Sequence, residues 1–322
     1  MIFSMMAMMD SDTGSKPLLV VCGPTASGKT ALAVELAKRR GGEIISADSM
    51  QVYRYMNIGT AKPTAEEMGG IPHHLLDFLE PEESFSVADW VALAKEKIDD
   101  IHSRGKLPIV AGGTGLYISS LVDNIQFFDM PTDVGLRQKW ENFAWEKGHE
   151  ALWEKLRDCD PELAAQLHPN NKGRIIRGLE VFDLTGKKMS AWQVEARAVP
   201  SPYQTTQLGL TATDRQLLYN RIETRVEVML AQGLEEEAKR HRAQYSATAA
   251  QAIGYKELFP YWDGLCSREE AVEDIKRETR RYAKRQLTWL RREERIHWLM
   301  IDQYQELSAL ADKAEEIAWK ME

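Results

Sequence analysis

The sequence predicts an α/β fold in which helices flank a parallel β-sheet, with a small helical domain inserted in the middle of the chain. Three observations support this prediction. Short apolar runs alternate with amphipathic helical segments through the first third of the chain. A glycine-rich turn joins the first strand to the first helix. The region 124–202 is rich in Trp, Lys and Glu and lacks a convincing buried strand, so it interrupts the alternation.

The first third of the chain supplies five elements. We predict strands over 18–22, 43–47 and 107–111, and helices over 30–39 and 87–104. Strands that alternate with helices in this way build a doubly wound parallel sheet.

The alternation resumes after the insertion. Residues 205–210 resemble a returning strand, and 214–232 predict a long helix with Asp214 as its N-cap and Gly233 as its C-cap. The predicted organisation is therefore a disordered N-terminal extension over 1–16, a catalytic core over 17–123 and 203–322 that ends in basic helices, and a helical insertion over 124–202.

Length and composition narrow the class of protein. A chain of 322 residues with 43% apolar residues can bury a full core. Its three cysteines are widely scattered without a C-x-x-C pair, which argues against a disulfide framework and a structural zinc site. The sequence has no apolar stretch as long as a membrane span and no secretory signal. We therefore expect a soluble, cytoplasmic protein that acts as a monomer.

The glycine-rich turn fits the phosphate-binding pattern G-x-x-x-x-G-K-[ST]. Its members are Gly23, Pro24, Thr25, Ala26, Ser27, Gly28, Lys29 and Thr30. Glycines let backbone N–H groups turn inward around an anion, Lys29 adds a point charge, and the Thr30 hydroxyl can bind Mg²⁺. The sequence therefore predicts a P-loop NTPase-like core that binds a di- or triphosphate with Mg²⁺. Kinases, ATPases, GTPases and some transferases share this loop.

Two further polar residues follow predicted strands at the same edge of the sheet. Asp48 comes directly after the strand over 43–47, and Thr114 lies in the turn after the strand over 107–111. Ligands of open α/β sheets bind at the carboxyl ends of the strands, so both residues are candidates for a site. Asp48 can bind Mg²⁺, accept a proton from a nucleophile, or cap the turn that begins with Ser49.

One segment is strongly basic although the formal net charge of the chain is −8. A predicted helix carries Ile275, Tyr282, Trp289 and Leu290 on the side that should be buried. Nine cations crowd this helix, against only three acidic residues over 276–295: Lys276, Arg277, Arg280, Arg281, Lys284, Arg285, Arg291, Arg292 and Arg295. The outward face is either an ordinary solvated helix surface or a site for a polyanion.

Four motifs stand in a fixed order along the chain: GPTASGKT at 23–30, ADSMQVY at 47–53, GGTGLY at 112–117 and IGYKE at 253–257. Together they resemble the bacterial tRNA dimethylallyltransferases, also called tRNA isopentenyltransferases. The resemblance continues through the segments RIIRGLE, YNRIETRV and TRRYAKRQLTW and covers roughly residues 17–298. The first 16 residues lie outside it, and Lys172 and Gly173 depart from the residues that other members often carry there.

The resemblance implies transfer of a dimethylallyl group from dimethylallyl diphosphate to N6 of the adenosine 3′ of the anticodon in tRNA, with Mg²⁺ and without a need for ATP. The loop would hold the departing diphosphate together with Arg221, Asp48 would accept the N6 proton, and Thr114 would orient the amine. Contacts with the tRNA anticodon stem-loop are implied for Asp48, Ser49, Met50, Gln51, Arg137, Arg174, Arg177, Gln251, Gly254, Tyr255, Lys256, Arg280, Arg281, Lys284, Arg285 and Gln286.

Other classes of protein remain open on the sequence alone. A small-molecule or nucleoside kinase would hold ATP in the loop, but it leaves the basic helix unexplained. An adenylate isopentenyltransferase would share the allyl chemistry, but it has little use for the insertion. A non-catalytic RNA-binding module would give Asp48 and Thr114 no chemical role.

Two groups of conspicuous side chains are interpreted as structural. Most tryptophans of the insertion, at positions 140, 145, 153 and 192, are expected to pack in a small helical core. The adjacent His73 and His74 would diverge on any regular element, so we do not interpret them as a metal site.

Overall fold

The fold is a six-stranded parallel sheet with the strand order β3-β2-β4-β1-β5-β6. The computed structural model describes residues 15–240, 242, 245–246 and 248–319. The strands are β1 (Lys16–Cys22), β2 (Gly42–Ala47), β3 (His73–His74), β4 (Leu107–Gly112), β5 (Tyr203–Thr211) and β6 (Ile296–Met300). This architecture confirms the predicted α/β fold.

Helices cover both faces of the sheet and form the inserted region. In the described part of the chain they are α1 (Lys29–Arg40), α2 (Ala65–Met68), α3 (Val87–Ser103), α4 (Gly115–Val122), α5 (Val134–Cys159), α6 (Pro161–Ala164), α7 (Lys172–Thr185), α8 (Met189–Ala196), α9 (Arg215–Ala231), α10 (Leu234–Arg240), α11 (Phe259–Trp262), α12 (Arg268–Leu290) and α13 (Leu307–Trp319). Short 3-10 segments occupy Ala249–Gln251, Lys256–Leu258 and Ile301–Gln303. None of the helices described here carries an apolar stretch long enough to cross a lipid bilayer.

The central strand β1 is buried on both of its faces. Leu18, Val20 and Cys22 pack in one apolar layer with α3 and α4, whereas Leu19 and Val21 pack in the opposite layer with α1 and α13. All five side chains are at most 2% exposed. This double burial explains why β1 reads as an uninterrupted apolar run. It also fixes the position of the loop that follows β1.

The chain divides into two compact units, Met1–Val122 with Pro202–Glu322, and Asp123–Ser201. The second unit contains α5 to α8 and has a core of its own that includes Leu152, Leu156, Ile175 and Leu179. The long helix α5 is interrupted at Gly148, where φ is 87°.

The tryptophans of the insertion differ in their surroundings. Trp140 and Trp153 pack in the core of the second unit. The ring of Trp192 lies 4.9 Å from that of Phe128. Trp145, in contrast, is 88% exposed. The expected packing role therefore holds for most of these residues and is wrong for Trp145.

The structure corrects two predicted ends. Lys16 already belongs to β1, although the sequence assigns it to the N-terminal extension; residues 1–14 of that extension lie outside the described part of the chain. Asp214 is the N-cap of α9 as predicted, but the C-cap is Gln232, and Gly233 follows it with a φ of 97°. Glycine tolerates this left-handed conformation, so it stands one position beyond the cap.

Two strands have no counterpart in the sequence prediction. The edge strand β3 has only two residues, and β6 follows a segment that the sequence assigns to the basic helix. Helix α12 in fact ends at Leu290, so Arg291, Arg292 and Arg295 lie in the turn before β6. The helical apolar spacing stops at Leu290, and the next apolar side chain that is buried, Ile296, pairs with β5.

Candidate active site at the carboxyl edge of the sheet

A cavity of about 370 Å³ lies beyond the carboxyl ends of β1, β2 and β4. The loops after these strands form one side of it, with Thr25, Lys29, Thr30, Asp48, Ser49, Met50, Gln51 and Gly112. Three later parts of the chain form the other side, namely α9, the segment 251–256 and α12. This is the position at which open α/β sheets bind ligands.

The phosphate-binding loop leads into the start of α1, whose first amides face one end of the cavity without a side-chain cap among the described residues. Gly28 precedes α1 in a left-handed conformation with a φ of 85°, and no side chain described here caps the helix. Ala26 also has a positive φ, of 63°. Since the first N–H groups of a helix have no acceptor within the helix, those of α1 can bind an anion.

Two partly buried cations lie at the same end of the cavity. Burial lowers the pKa of Lys29 to about 8, the nearby charge of Arg225 lowers it too, and Asp48 opposes this shift. Burial likewise lowers the pKa of Arg225. Lys29 Nζ donates to the Pro24 carbonyl at 3.2 Å, and Arg225 donates to the Ala61 carbonyl at 3.4 Å. Among the described residues, neither cation has a carboxylate within ion-pair distance, so the pair favours a polyanionic ligand.

Asp48 has one oxygen bound and one available. Its Oδ1 accepts the backbone N–H groups of Met50 at 2.9 Å and Gln51 at 3.3 Å. No residue in the described part of the chain donates to Oδ2. The turn-capping role and a chemical role are therefore compatible, because each uses a different oxygen of the same carboxylate.

Thr114 supports the Asp48 loop from the neighbouring turn. Its Oγ1 accepts the backbone N–H of Ser49 at 3.2 Å, and its own N–H donates to the Ala47 carbonyl at 3.1 Å. The same hydroxyl also hydrogen-bonds the side chain of Tyr282 on α12. Thr114 is not among the residues that line the cavity.

Helix α9 contributes a residue that the sequence analysis missed. Arg225 lines the cavity, whereas the predicted Arg221 is exposed and lies outside the lining. The two residues are four positions apart, so Arg221 lies one turn earlier on the same face of α9. Both arginines belong to the segment YNRIETRV, so the resemblance in this segment was the sequence feature from which Arg225 could have been predicted.

Two predicted tRNA contacts point into the protein. Tyr255 is 0% exposed, and its hydroxyl donates to the Glu237 carboxylate at 2.6 Å. Gln286 is 6% exposed, and both polar atoms of its side chain are bound to backbone groups of Thr25 and Gly113. Tyr255 is therefore not available to RNA in this geometry, whereas Gln286 lies in the lining of the cavity with its polar atoms occupied. Gln251, Gly254 and Lys256 do line the cavity, as do Arg285 and the segment 48–51.

The basic helix is partly neutralised within the protein. Arg280 pairs with Glu223 and Arg281 pairs with Glu278, both at 2.6 Å. Within the described residues, Lys284 and Arg285 have no ion pair. Glu223 lies on α9, far away in sequence, so the count of charges along the predicted helix could not include it. The free cationic surface is thus smaller than the sequence suggests.

In the insertion, Arg137 and Arg177 bind the buried carboxylate of Glu180 at 2.9 Å and 2.6 Å. Burial alone would raise the pKa of Glu180, but the hydrogen bonds from the two arginines hold it below its ordinary value. Arg174 is exposed. The resemblance implies tRNA contacts for all three arginines. Two of them, Arg137 and Arg177, instead form ion pairs with Glu180 inside the protein.

Known proteins resemble this chain in sequence and in structure. The IPP transferase family model matches residues 51–293. A tRNA dimethylallyltransferase of Acetivibrio thermocellus is 51% identical over 290 residues, which cover 89% of this chain and 92% of that protein. One from Geobacillus thermodenitrificans is 50% identical over 286 residues, with 88% and 90% covered.

Two solved structures are also similar. The full-length tRNA isopentenylpyrophosphate transferase of Bacillus halodurans has a TM-score of 0.69 and 44% identity, with 95% of this chain and 97% of that chain covered. A eukaryotic dimethylallyltransferase acting on tRNA has a TM-score of 0.76 and 30% identity, with 95% and 79% covered.

Proposed function

The chain belongs to the IPP transferase family, and we propose that it transfers a dimethylallyl group from dimethylallyl diphosphate to N6 of the adenosine 3′ of the anticodon in tRNA. One observation carries this proposal. A single cavity holds two partly buried cations that no carboxylate of the described residues pairs with, and a carboxylate with an available oxygen, Asp48, at the edge of the same sheet. The cations suit a departing diphosphate, and the available Asp48 oxygen suits the role of proton acceptor.

The diphosphate would bind the loop that ends in Lys29 and Thr30. As the bond from the allylic carbon to the bridging oxygen breaks, negative charge grows on that oxygen. The amides at the start of α1, the Lys29 ammonium and the Arg225 guanidinium would stabilise this charge. Arg221, one turn earlier on α9, would extend the same cationic face. Water-excluded surroundings make each of these contacts stronger than it would be at the surface.

Mg²⁺ would bind beside Thr30. The Thr30 hydroxyl is a hard oxygen donor that lines the cavity. Mg²⁺ prefers such sites, with one or two side chains and the remaining positions filled by substrate phosphate and water. When bound, it would supply positive charge to the diphosphate oxygens.

The acceptor adenine would enter from the side of Asp48. Its N6 amine becomes strongly acidic once it is alkylated, so a carboxylate oxygen that takes the proton lowers the barrier. Asp48 Oδ2 would take this proton, because Oδ1 is held by the turn. Thr114 would orient the amine through its hydroxyl group. A base stacked in an anticodon loop must first be extruded, at a cost of a few kcal/mol.

The tRNA backbone would contact exposed cations. Lys284 and Arg285 on α12 and Lys256 near the cavity are the candidates in the first unit, and Arg174 is the candidate in the insertion. Such contacts position the RNA without reading its sequence, and they weaken steeply with added salt.

The test is to incubate the purified protein with unmodified tRNA, dimethylallyl diphosphate and Mg²⁺ in the absence of ATP, and to weigh the nucleosides after digestion. We expect an adenosine heavier by one dimethylallyl group. A tRNA with guanosine at the position 3′ of the anticodon should give none. The proposal fails if no such nucleoside forms but ATP supports phosphoryl transfer to small acceptors, or if free adenylate is alkylated as well as tRNA.

A further inference from the structure

The side chain of Gln286 joins two loops of the site. Its Oε1 accepts the backbone N–H of Thr25 in the phosphate-binding loop at 3.0 Å. Its Nε2 donates to the backbone carbonyl of Gly113, in the turn after β4, at 3.1 Å. A carboxamide is suited to this contact because it presents one acceptor and one donor in a single plane.

The contact is tight as well as polar. A Cβ atom on Gly113 would lie 2.1 Å from Nε2 of Gln286, and one on Gly115 would lie 2.2 Å from Cδ1 of Trp289. The side chains of α12 therefore lie so close to this turn that a Cβ atom at either position would displace them. The amide of Gln286 is almost fully buried, so removal of its bonds would leave buried polar backbone groups without partners.

We infer that Gln286 is a positioning residue that sets the separation between the diphosphate side and the acceptor side of the site. Thr25 belongs to the loop that would hold the diphosphate. Gly113 precedes Thr114, whose hydroxyl accepts the Ser49 N–H directly after Asp48. This inference rests on the proposed function, because the separation matters only if a group moves from one side to the other.

Group transfer depends strongly on such a separation. A misplacement of about 1 Å between reacting groups can reduce a rate by about 10²-fold. Gln286 lines the cavity, but both polar atoms of its amide are bonded to Thr25 and Gly113, so it acts through the two backbone groups that it holds. Its loss should therefore lower the rate of transfer more than the affinity for either substrate.

The first test replaces Gln286 with methionine, which has a similar length and no hydrogen bonds. We expect the single-turnover rate at saturating substrates to fall by about 10- to 100-fold, given the sensitivity of transfer to alignment. The KM values for tRNA and dimethylallyl diphosphate should change much less than this. Thr288→Val is the matched control, because Thr288 is exposed on the same helix and bonds only to the Lys284 carbonyl in the described residues.

The second test is a double-mutant cycle with Gly113→Ala, which guards against a fold defect in a single variant. The added methyl group collides with Gln286, so Gly113→Ala should be harmful alone and much less harmful beside Gln286→Ala. Three results would overturn the inference. Gln286→Met could transfer at the wild-type rate, its loss of kcat/KM could come entirely from higher KM values, or the effects of the two substitutions could be additive. Wild-type transfer in the same assay separates these outcomes from failure of the proposed function.

Discussion

Strand β2 carries a carboxylate at each end, and the two carboxylates have opposite surroundings. At the amino end, Glu43 is 2% exposed and accepts hydrogen bonds from Arg104, Lys106 and His74. At the carboxyl end, Asp48 is bound only by amides of its own turn among the described residues. The Arg104 guanidinium holds the pKa of Glu43 well below its ordinary value although burial opposes this.

The cations near these carboxylates differ in the same way. Arg104 and Lys106 both form ion pairs with Glu43, whereas Lys29 and Arg225 lie partly buried near Asp48 without an ion pair in the described part of the chain. Buried, unpaired cations destabilise a folded protein. Their presence at one end of β2 indicates that a ligand supplies the missing negative charge. Paired charges at the amino end stabilise the fold, and unpaired charges at the carboxyl end mark the site.

The largest effect is expected from Asp48→Asn. The variant keeps an acceptor for the N–H groups of Met50 and Gln51 but loses the proton-accepting oxygen. The transfer rate should fall by about 10²- to 10⁴-fold, which is the usual contribution of a general base. Single-turnover kinetics measures this loss, and equilibrium binding of dimethylallyl diphosphate serves as the control. A wild-type rate would remove Asp48 from the chemistry.

Lys29→Met should have the next largest effect and should separate function from stability. Loss of one preorganised charge donor should reduce transfer by about 10²- to 10³-fold. The melting temperature of the ligand-free variant should rise, because an unpaired buried cation is removed. Differential scanning calorimetry of both proteins without ligand tests whether the melting temperature rises. A lower melting temperature would mean that Lys29 is paired in the free protein, contrary to the comparison between the two ends of β2.

Arg225→Met should weaken binding of dimethylallyl diphosphate by about 10- to 100-fold, the usual effect of losing a charge-assisted hydrogen bond. The matched variant is Arg221→Met, one turn earlier on the same helix face. Since Arg221 is exposed and outside the cavity lining, its loss should weaken binding less. Titration calorimetry of both variants gives the ranking. The reverse order would place the diphosphate nearer the start of α9.

Glu43→Gln should have the smallest effect on catalysis. Its three partners lose a charged acceptor, and the free energy of unfolding should fall by about 1–3 kcal/mol, an amount limited because Arg104 and Lys106 are partly exposed. The transfer rate of the folded variant should equal that of wild type. Denaturant unfolding and single-turnover kinetics test the two statements separately. A slower transfer would show that the amino end of β2 also serves the reaction.

Local sequence was sufficient to predict much of the fold and part of the site. The phosphate-binding loop and Asp48 are recognisable because a strand, a turn and a helix lie within a few residues of one another. The apolar run of β1 reveals its burial for the same reason. These features depend on neighbours in the chain.

The features that sequence reasoning missed depend on residues far apart in the chain. Glu223 neutralises Arg280 from another helix, and Gln286 turns inward to Thr25 although it stands in a strongly basic segment. Tyr255 is buried against Glu237 within a motif that was expected to bind RNA. Which face of a helix is buried, and which charges meet across elements, is decided by packing that a single sequence does not display.

The protonation of Lys29 tests the central claim most directly, because the claim is that this charge has no partner until the diphosphate arrives. The pKa of Lys29 is lowered from 10.5 to about 8, so the side chain is mainly neutral above that pH in the free protein. A bound diphosphate favours the charged form, so binding above this pH should take up a proton and should weaken as pH rises. The last proton of a phosphate monoester leaves at about pH 6, so the ligand itself contributes little there.

Titration calorimetry with dimethylallyl diphosphate at about half a pH unit above the Lys29 pKa, in buffers of different ionisation enthalpy and at constant Mg²⁺, measures this uptake. Without tRNA no transfer occurs during the measurement. The account predicts an uptake of up to about three quarters of a proton per ligand in the wild type, since that fraction of Lys29 is neutral at this pH, and none in Lys29→Met. Binding without proton uptake in the wild type, or equal uptake in both proteins, would contradict it.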